Sequence, residues 1–238
     1  MALGLGASLG KTGVVTPGIV TSGLVLKSNF DTGAVTPISD GSVEFNGTSD
    51  YIDFPSKPID TQPGTYCFWI KASDTGGNKG LFGHGAQHTG AFHIQYSSGR
   101  PLIYLASGYY QYFDDTGLGD DGKWHHYAVH LDPTDISAVW LYIDGVTVAK
   151  NGSANSGSGA GNAYGNLEIG RTDAVNEFEG SLCNFGVWTG ELTQAQIKSI
   201  MYKNYSGLTS SEKTNLVSWW NLSADANDNH GSNNGTLS

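Results

Sequence analysis

Charge is scarce in this chain, with 14% of its 238 residues Asp, Glu, Lys or Arg against roughly 25% in an average globular protein. Basic charge is scarcer still, at 12 Lys and Arg against 22 Asp and Glu, for a formal net charge of −10. Binding a phosphate backbone needs a clustered Lys/Arg surface, so this composition excludes nucleic acid as a partner. It favours solubility and cation binding instead. No run of 18 apolar residues offers a membrane span, and the amino-terminal MALGLGASLGKTGVV has neither a basic start nor a continuous apolar core, which makes it a poor secretory signal. The expectation is synthesis and retention in a cytosol, with no membrane partner. Only two cysteines occur, Cys67 and Cys183, far apart and both in apparent strands. In a reducing compartment they read as small buried hydrophobes, a disulfide being the alternative.

Glycine and aromatics are plentiful: 34 Gly, 12 Tyr, nine Phe and six Trp. Many tight turns between short strands would use the first, and a sizeable core the second. The chain is organised around residues 120–152, DDGKWHHYAVHLDPTDISAVWLYIDGVTVAKNG. WHHYAVHL and AVWLYI are aromatic and β-branched, separated by a Pro-containing loop, and predict adjacent antiparallel strands. Asp144-Gly145 between apolar flanks predicts a two-residue hairpin with Val146–Lys150 returning. TYCFWIKA over 65–72 is apolar on both faces, with Tyr66, Phe68 and Ile70 on one and Cys67 and Trp69 on the other, as in a strand buried from both sides. GLFGH, AFHIQY, PLIYLA and YYQYF follow at about ten-residue spacing with turn residues between them, the pattern of a β sandwich. A low-complexity loop, Asn151 to Gly165, comes next, and then the strands NLEIGR and EFEGSLCNFGVW. At LTQAQIKSIMY the period changes to helical, with Thr193 and Gln196 spaced as a capping box and Ile197, Ile200 and Met201 on one face.

Several of these motifs resemble laminin G-like domains of the concanavalin A-like sandwich family: G-K-W-H-H-Y-A-V before L-Y-I-D-G-V, F-N-G-T-S-D-Y-I-D near the start, and I-G followed by F-x-G-x-L and an alternating strand. The tail, LVSWWNLSADANDNHGSNNGTLS, is similar to a segment that most such domains carry at their beginning. Its position at the end suggests a permuted arrangement or a tail that completes a sheet edge. Together with VLKSNFDTGAVTPISDGSVEFNG, this combination resembles laminin G-like proteins of tailed phages. The resemblance implies an all-β, two-sheet antiparallel jelly-roll over residues 24–238 with one short C-terminal helix. It also implies a non-enzymatic virion subunit, made in the host cytoplasm, that decorates a capsid or builds a fibre with other virion subunits and as a homo-oligomer. A glycan-binding adhesion module is the alternative, then a degenerate glycosidase.

Glycoside hydrolases sharing this sandwich carry paired carboxylates as E-x-D-x-E or E-x-D-x-x-E; neither is present, and the nearest pair, Glu177 and Glu179, reads as solvent-facing. G-S-G-S-G-A-G lies in a loop without the strand and helix that hold a Ser nucleophile, and no phosphate loop occurs. His84, His88 and His93 lack metal-ligand spacing, while adjacent His125 and His126 point to opposite faces of one strand. Asp225, Asp228 and Asn229 form a hard-oxygen set suited to Ca²⁺, the other reading being an Asx-turn loop that needs no ion; the helper carboxylate of calcium-binding relatives is replaced here by Cys183 and Asn184. Tyr109, Tyr110 and Tyr112, with Phe113, offer faces on which surface glycans stack, although alternation sends about half of such a run inward.

Residues 1–23 have no aromatic, no charge but Lys11, and no period. Leu3, Leu5, Leu9, Val14, Val15, Ile19 and Val20 are too apolar for a solubilising tail. The segment therefore reads as an assembly arm that orders on a neighbouring subunit, the other reading being a frayed terminus.

Overall fold

A computed structural model describes residues 36–55, 58–59, 62–84, 92–105, 109–154, 166–172 and 176–238. The amino-terminal arm and His88 lie outside the described residues.

In chain order the strands are β1 (Val43–Asn46), β2 (Ile52–Asp53), β3 (Gly64–Asp74), β4 (Asn78–His84), β5 (Phe92–Ser97), β6 (Arg100–Leu105), β7 (Tyr109–Phe113), β8 (His125–Leu131) and β9 (Trp140–Ile143). They continue with β10 (Val146–Thr147), β11 (Lys150–Ala154), β12 (Leu167–Ile169), β13 (Arg171–Thr172), β14 (Asn176–Glu177), β15 (Glu179–Thr189), β16 (Leu216–Trp220) and β17 (Thr236–Leu237), with helix α1 (Gln194–Ile200) between β15 and β16. The first sheet runs β1-β15-β3-β8-β9-β10, with β16 also on β15; the second runs β11-β7-β6-β5-β4-β12-β2-β17; β13 and β14 form a separate ribbon. All pairings within the two sheets are antiparallel. The all-β jelly-roll sandwich with one α-helix is the fold the sequence predicts. Two boundaries differ: the strand returning from the hairpin, expected over Val146–Lys150, ends at Thr147, and Asn151 to Ala154, read as the start of a loop, belong with Lys150 to strand β11 on the edge of the second sheet. Its polar, Gly-rich sequence hides it, because an edge strand is specified by its ladder partner rather than by burial.

The DG hairpin forms as expected. Asp144 and Gly145 both take positive φ, 51° and 71°, as a type I′ turn requires, and Val146 pairs with Ile143. Between the sheets lies a core in which Tyr66, Phe68 and Ile70 of β3 and Tyr127 and Val129 of β8 meet Phe82, Ile94, Ile103 and Phe113 from the second sheet. Burying each such side chain is worth about 2–3 kcal/mol relative to exposure. Tyr96 and Tyr127 keep their hydroxyls satisfied by bonding each other, 2.7 Å apart.

The opposite face of β3 explains its second apolar stripe. Cys67, Ala128, Trp188 and Trp219 on the outer side of the first sheet are covered by Leu192, Ile197, Ile200 and Leu208, so α1 and the turns after it make a third layer. Thr193 caps α1 through a capping box with Gln196, and Thr209 and Glu212 repeat that exchange in the following turns. Indole N–H groups fasten this layer: Trp69 Nε1 donates to the Met201 carbonyl at 2.7 Å and Trp188 Nε1 to the Glu212 carbonyl at 2.8 Å. Among the described residues no helix is long and apolar enough to cross a membrane.

Candidate functional site

The outer face of the second sheet has no such cover from α1, and alternation fills part of it with aromatics. On β6, Ile103 and Leu105 point into the core, which turns Arg100, Leu102 and Tyr104 outward. On β7, Phe113 points inward and Tyr109 packs against the core, which turns Tyr110 and Tyr112 outward. The ladder sets Tyr104 opposite Tyr110 and Leu102 opposite Tyr112. Tyr104 and Tyr110 stack nearly parallel, 6.3 Å between centroids and 13° between planes, and Tyr112 meets Tyr110 edge-on at 5.3 Å. Arg100 lies over the Tyr112 ring, its guanidinium carbon 4.4 Å from the centroid. All four side chains are half-buried. The result is a strip of ring faces and edges with a cation at one end, suited to stacking pyranose rings and hydrogen-bonding their hydroxyls.

Of the three tyrosines singled out in the sequence, Tyr110 and Tyr112 belong to this strip, and Tyr109 serves the core. Tyr104 and Arg100 escaped sequence reasoning. The signal was the alternation in Arg-Pro-Leu-Ile-Tyr-Leu, which puts both on one face; what was missing was the register that brings them beside β7.

Further along the same sheet, Arg171 lies over the Tyr51 ring and makes a two-pronged bond to Glu168, Nε to Oε2 at 3.0 Å and Nη2 to Oε1 at 2.6 Å. Glu168 faces Asp53 across the ladder. The β13–β14 ribbon approaches β4 closely, since a Cβ on Gly80 would stand 2.3 Å from the Thr172 nitrogen. Thr172 Oγ1 donates to Gln95 Oε1 at 3.3 Å.

The tail loop tests the calcium reading. Asp228 Oδ1 accepts the N–H groups of Trp219, His230 and Gly231 at 2.9–3.0 Å, and Oδ2 accepts that of Asn233 at 3.1 Å. Burial opposes its charge, and these four donors outweigh it, holding the carboxyl below its ordinary range. Asp225 bonds Asn227, and the Asn229 side-chain oxygen accepts from Asn221 N–H. Three N–H donors engage Asp228 Oδ1, so this carboxylate ties the loop to its own backbone as in an Asx-type turn.

The remaining candidates are dispersed. Glu177 pairs with Arg171 on β14, whereas Glu179 begins β15 opposite Asn46. His84 ends β4 and His93 lies on β5 opposite Tyr104. Among the described residues no group of three or more His, Cys, Asp or Glu converges. His125 and His126 do face opposite ways. His125 is held between Asp144 and Asp121, at 2.7 and 3.1 Å; burial works against its charge, and the two carboxylates, Asp144 first, raise its pKa nonetheless. His126 sits under the third layer against Trp69, its Nδ1 without a partner, and burial pushes its pKa down to about 3. Cys67 and Cys183 are buried free thiols, which burial pushes up.

A jelly roll with a helical layer on one outer face and an aromatic strip on the other is a lectin-like domain. The chain belongs to the concanavalin A-like lectin/glucanases superfamily, whose laminin G family model matches residues 46–198. Among solved structures, a putative carbohydrate binding protein from Bacteroides ovatus is 17% identical at TM-score 0.58, covering 82% of this chain; this chain spans 58% of that one. The CBM40 of Ruminococcus gnavus IT-sialidase, bound to α2,3-sialyllactose, is 14% identical at TM-score 0.53, covering 68% of this chain and 96% of that one. Domain 4 of AbnA, an arabinanase of Geobacillus stearothermophilus in complex with arabinotriose, is 18% identical at TM-score 0.53, covering 67% and 76%. At these identities the likeness is one of fold. A search of curated protein sequences found no match.

Proposed function

We propose that this chain is a non-enzymatic glycan-binding module displayed on a virion surface. The observation that carries the glycan reading is the outward strip of Tyr104, Tyr110 and Tyr112. Half-buried rings grouped on an outer sheet face contribute little to the core, and their flat apolar faces with polar edges match sugar rings. That similar sandwiches are described as binding carbohydrates agrees with this use of the fold. The non-catalytic part rests on the absent carboxylate motif and on Glu177 and Glu179 sitting on different sheets.

A glycan array followed by calorimetry is the test. Tyr110→Ala and Tyr104→Ala should each weaken binding at least tenfold while leaving the melting temperature nearly unchanged; binding indifferent to both variants overturns the reading. Incubation with β-glucan, galactan and peptidoglycan should release no reducing ends. The virion setting, as a capsid-decorating or fibre subunit, rests on the motif resemblance and on the apolar residues of segment 1–23. Deleting that segment should preserve the melt and abolish attachment to particles, and a truncated protein that still assembles with full affinity sinks it.

A further inference from the structure

We propose that the glycan taken by this face is an acidic one, a uronic or sialic acid, and that Arg100 reads its carboxylate. The inference rests on the glycan-binding reading above. The chain has only two arginines, and both lie over tyrosine rings, Arg100 over Tyr112 of β7 and Arg171 over Tyr51 just before β2. They differ in what else they hold. The guanidinium of Arg171 is closed by its two-pronged bond to Glu168. Among the described residues, Arg100 has no carboxylate within ion-pair reach. The Asp114–Asp115 loop makes no ion pair with it: Asp115 Oδ1 accepts from Gly117 N–H at 2.8 Å while its Oδ2 lies near Gly99, and Asp114 takes the Asn151 amide at 2.7 Å. Three described lysines are paired with carboxylates, Lys79 with Asp74, Lys123 with Asp121 and Lys203 with Glu212.

In a protein of net charge −10, an arginine left without a counter-ion beside ring faces is an unfilled anion site. Tyr112 holds the guanidinium by cation–π contact, which leaves its N–H edge free. That edge matches a planar carboxylate with two parallel bonds, a geometry an ammonium cannot reproduce. The neighbouring Tyr110 and Tyr104 rings would carry the sugar to which the carboxylate belongs. The acidic remainder of the surface works weakly against an anionic ligand, because at physiological salt its field decays within about 8 Å.

Calorimetry on the full chain with two matched pairs of probes decides this: trigalacturonate against galactotriose, and sialyllactose against lactose. The pair that responds tells a uronate from a sialate. We expect the acidic member of one pair to bind about tenfold more tightly, with an affinity that falls as salt rises. Arg100→Gln should bring that affinity down to the level of the neutral partner, and Arg100→Lys should recover only part of it. Both variants should melt with the wild type. Equal affinities within both pairs, a preference that survives Arg100→Gln, or no binding of either acidic probe overturns the acidic assignment. The glycan reading itself is judged separately, by the Tyr104 and Tyr110 variants against whichever sugars the array returns.

Discussion

Both sheets bury their inner faces against each other, yet they end differently on the outside. The first sheet puts Trp69, Trp188 and Trp219 outward and needs α1 and the turns through Leu208 to cover them. The second puts Tyr104, Tyr110 and Tyr112 outward and leaves them half-buried. Residue choice follows the difference. A tryptophan has one N–H, and two of the three donate theirs to backbone carbonyls of the covering layer; a tyrosine ring with its hydroxyl at the tip remains compatible with water. The same chemistry class is thus used for cohesion on one side and for recognition on the other.

The largest effect should come from opening the covered face. Trp188→Ala removes a fully buried indole and leaves the Glu212 carbonyl without its donor, so a loss of about 3–5 kcal/mol is expected by urea denaturation. The tail that crosses this side comes next: Asp228→Ala deletes four N–H bonds to a carboxylate and should lower stability by about 2–3 kcal/mol. That loss should be the same with and without a chelator. A wild-type melt that drops on adding EDTA would contradict the closed-loop account of Asp228.

Histidines on the two sides of β8 titrate in opposite directions, which sharpens the comparison by pH alone. His126 is buried neutral under the third layer. Unfolded, it takes up a proton near 6.5; folded, only near 3. The unfolded state therefore binds more protons across that interval, and stability should fall with acid, by about 2 kcal/mol between pH 7 and 5. His126→Phe should flatten this limb. His125 is raised by Asp144 and Asp121, so its contribution is complete below the ordinary histidine value and is lost as pH rises through the raised one. His125→Gln should remove that smaller alkaline slope, seen in urea midpoints between pH 6 and 9. Smallest of all, Tyr110→Ala on the open face should change stability by less than about 1 kcal/mol; a larger drop would mean that the strip belongs to the core.

The legible parts of this molecule were those in which one local rule decides. Asp144-Gly145 fixes a hairpin, Thr193 with Gln196 caps a helix, and a strand such as TYCFWIKA, apolar on both faces, announces two layers before either is seen. Tyr109 going inward and Tyr110 outward follows from alternation, too. The parts that were not legible depend on register between distant segments. Arg100 acquires meaning only beside Tyr112, and Asp228 only beside the backbone of Trp219 and His230. A cluster of acidic and amide residues in a loop reads the same whether its oxygens face an ion or their own backbone.

The outer edge of β15 is shared: β1 pairs with Leu182 to Glu179, and β16 with Phe185 to Trp188. Asn184 stands at the junction with φ of 51°, bonding the carbonyls of Ile38 and Asn221. On the other sheet Thr236 and Leu237 pair with Asp53 and Ile52, and Ser238 exchanges two backbone bonds with Tyr51. The two closures differ in reach: β16 lies close to β15 in sequence, whereas β17 pairs with β2 across most of the described chain. The β2 edge cannot be completed before residues 236–238 are made, and loop closure over such a separation is entropically slow. Until then the edge of β2 stays unpaired, the condition under which sheets recruit strands from other chains. Folding yield, more than final stability, is then what changes at residues 236–238 should control.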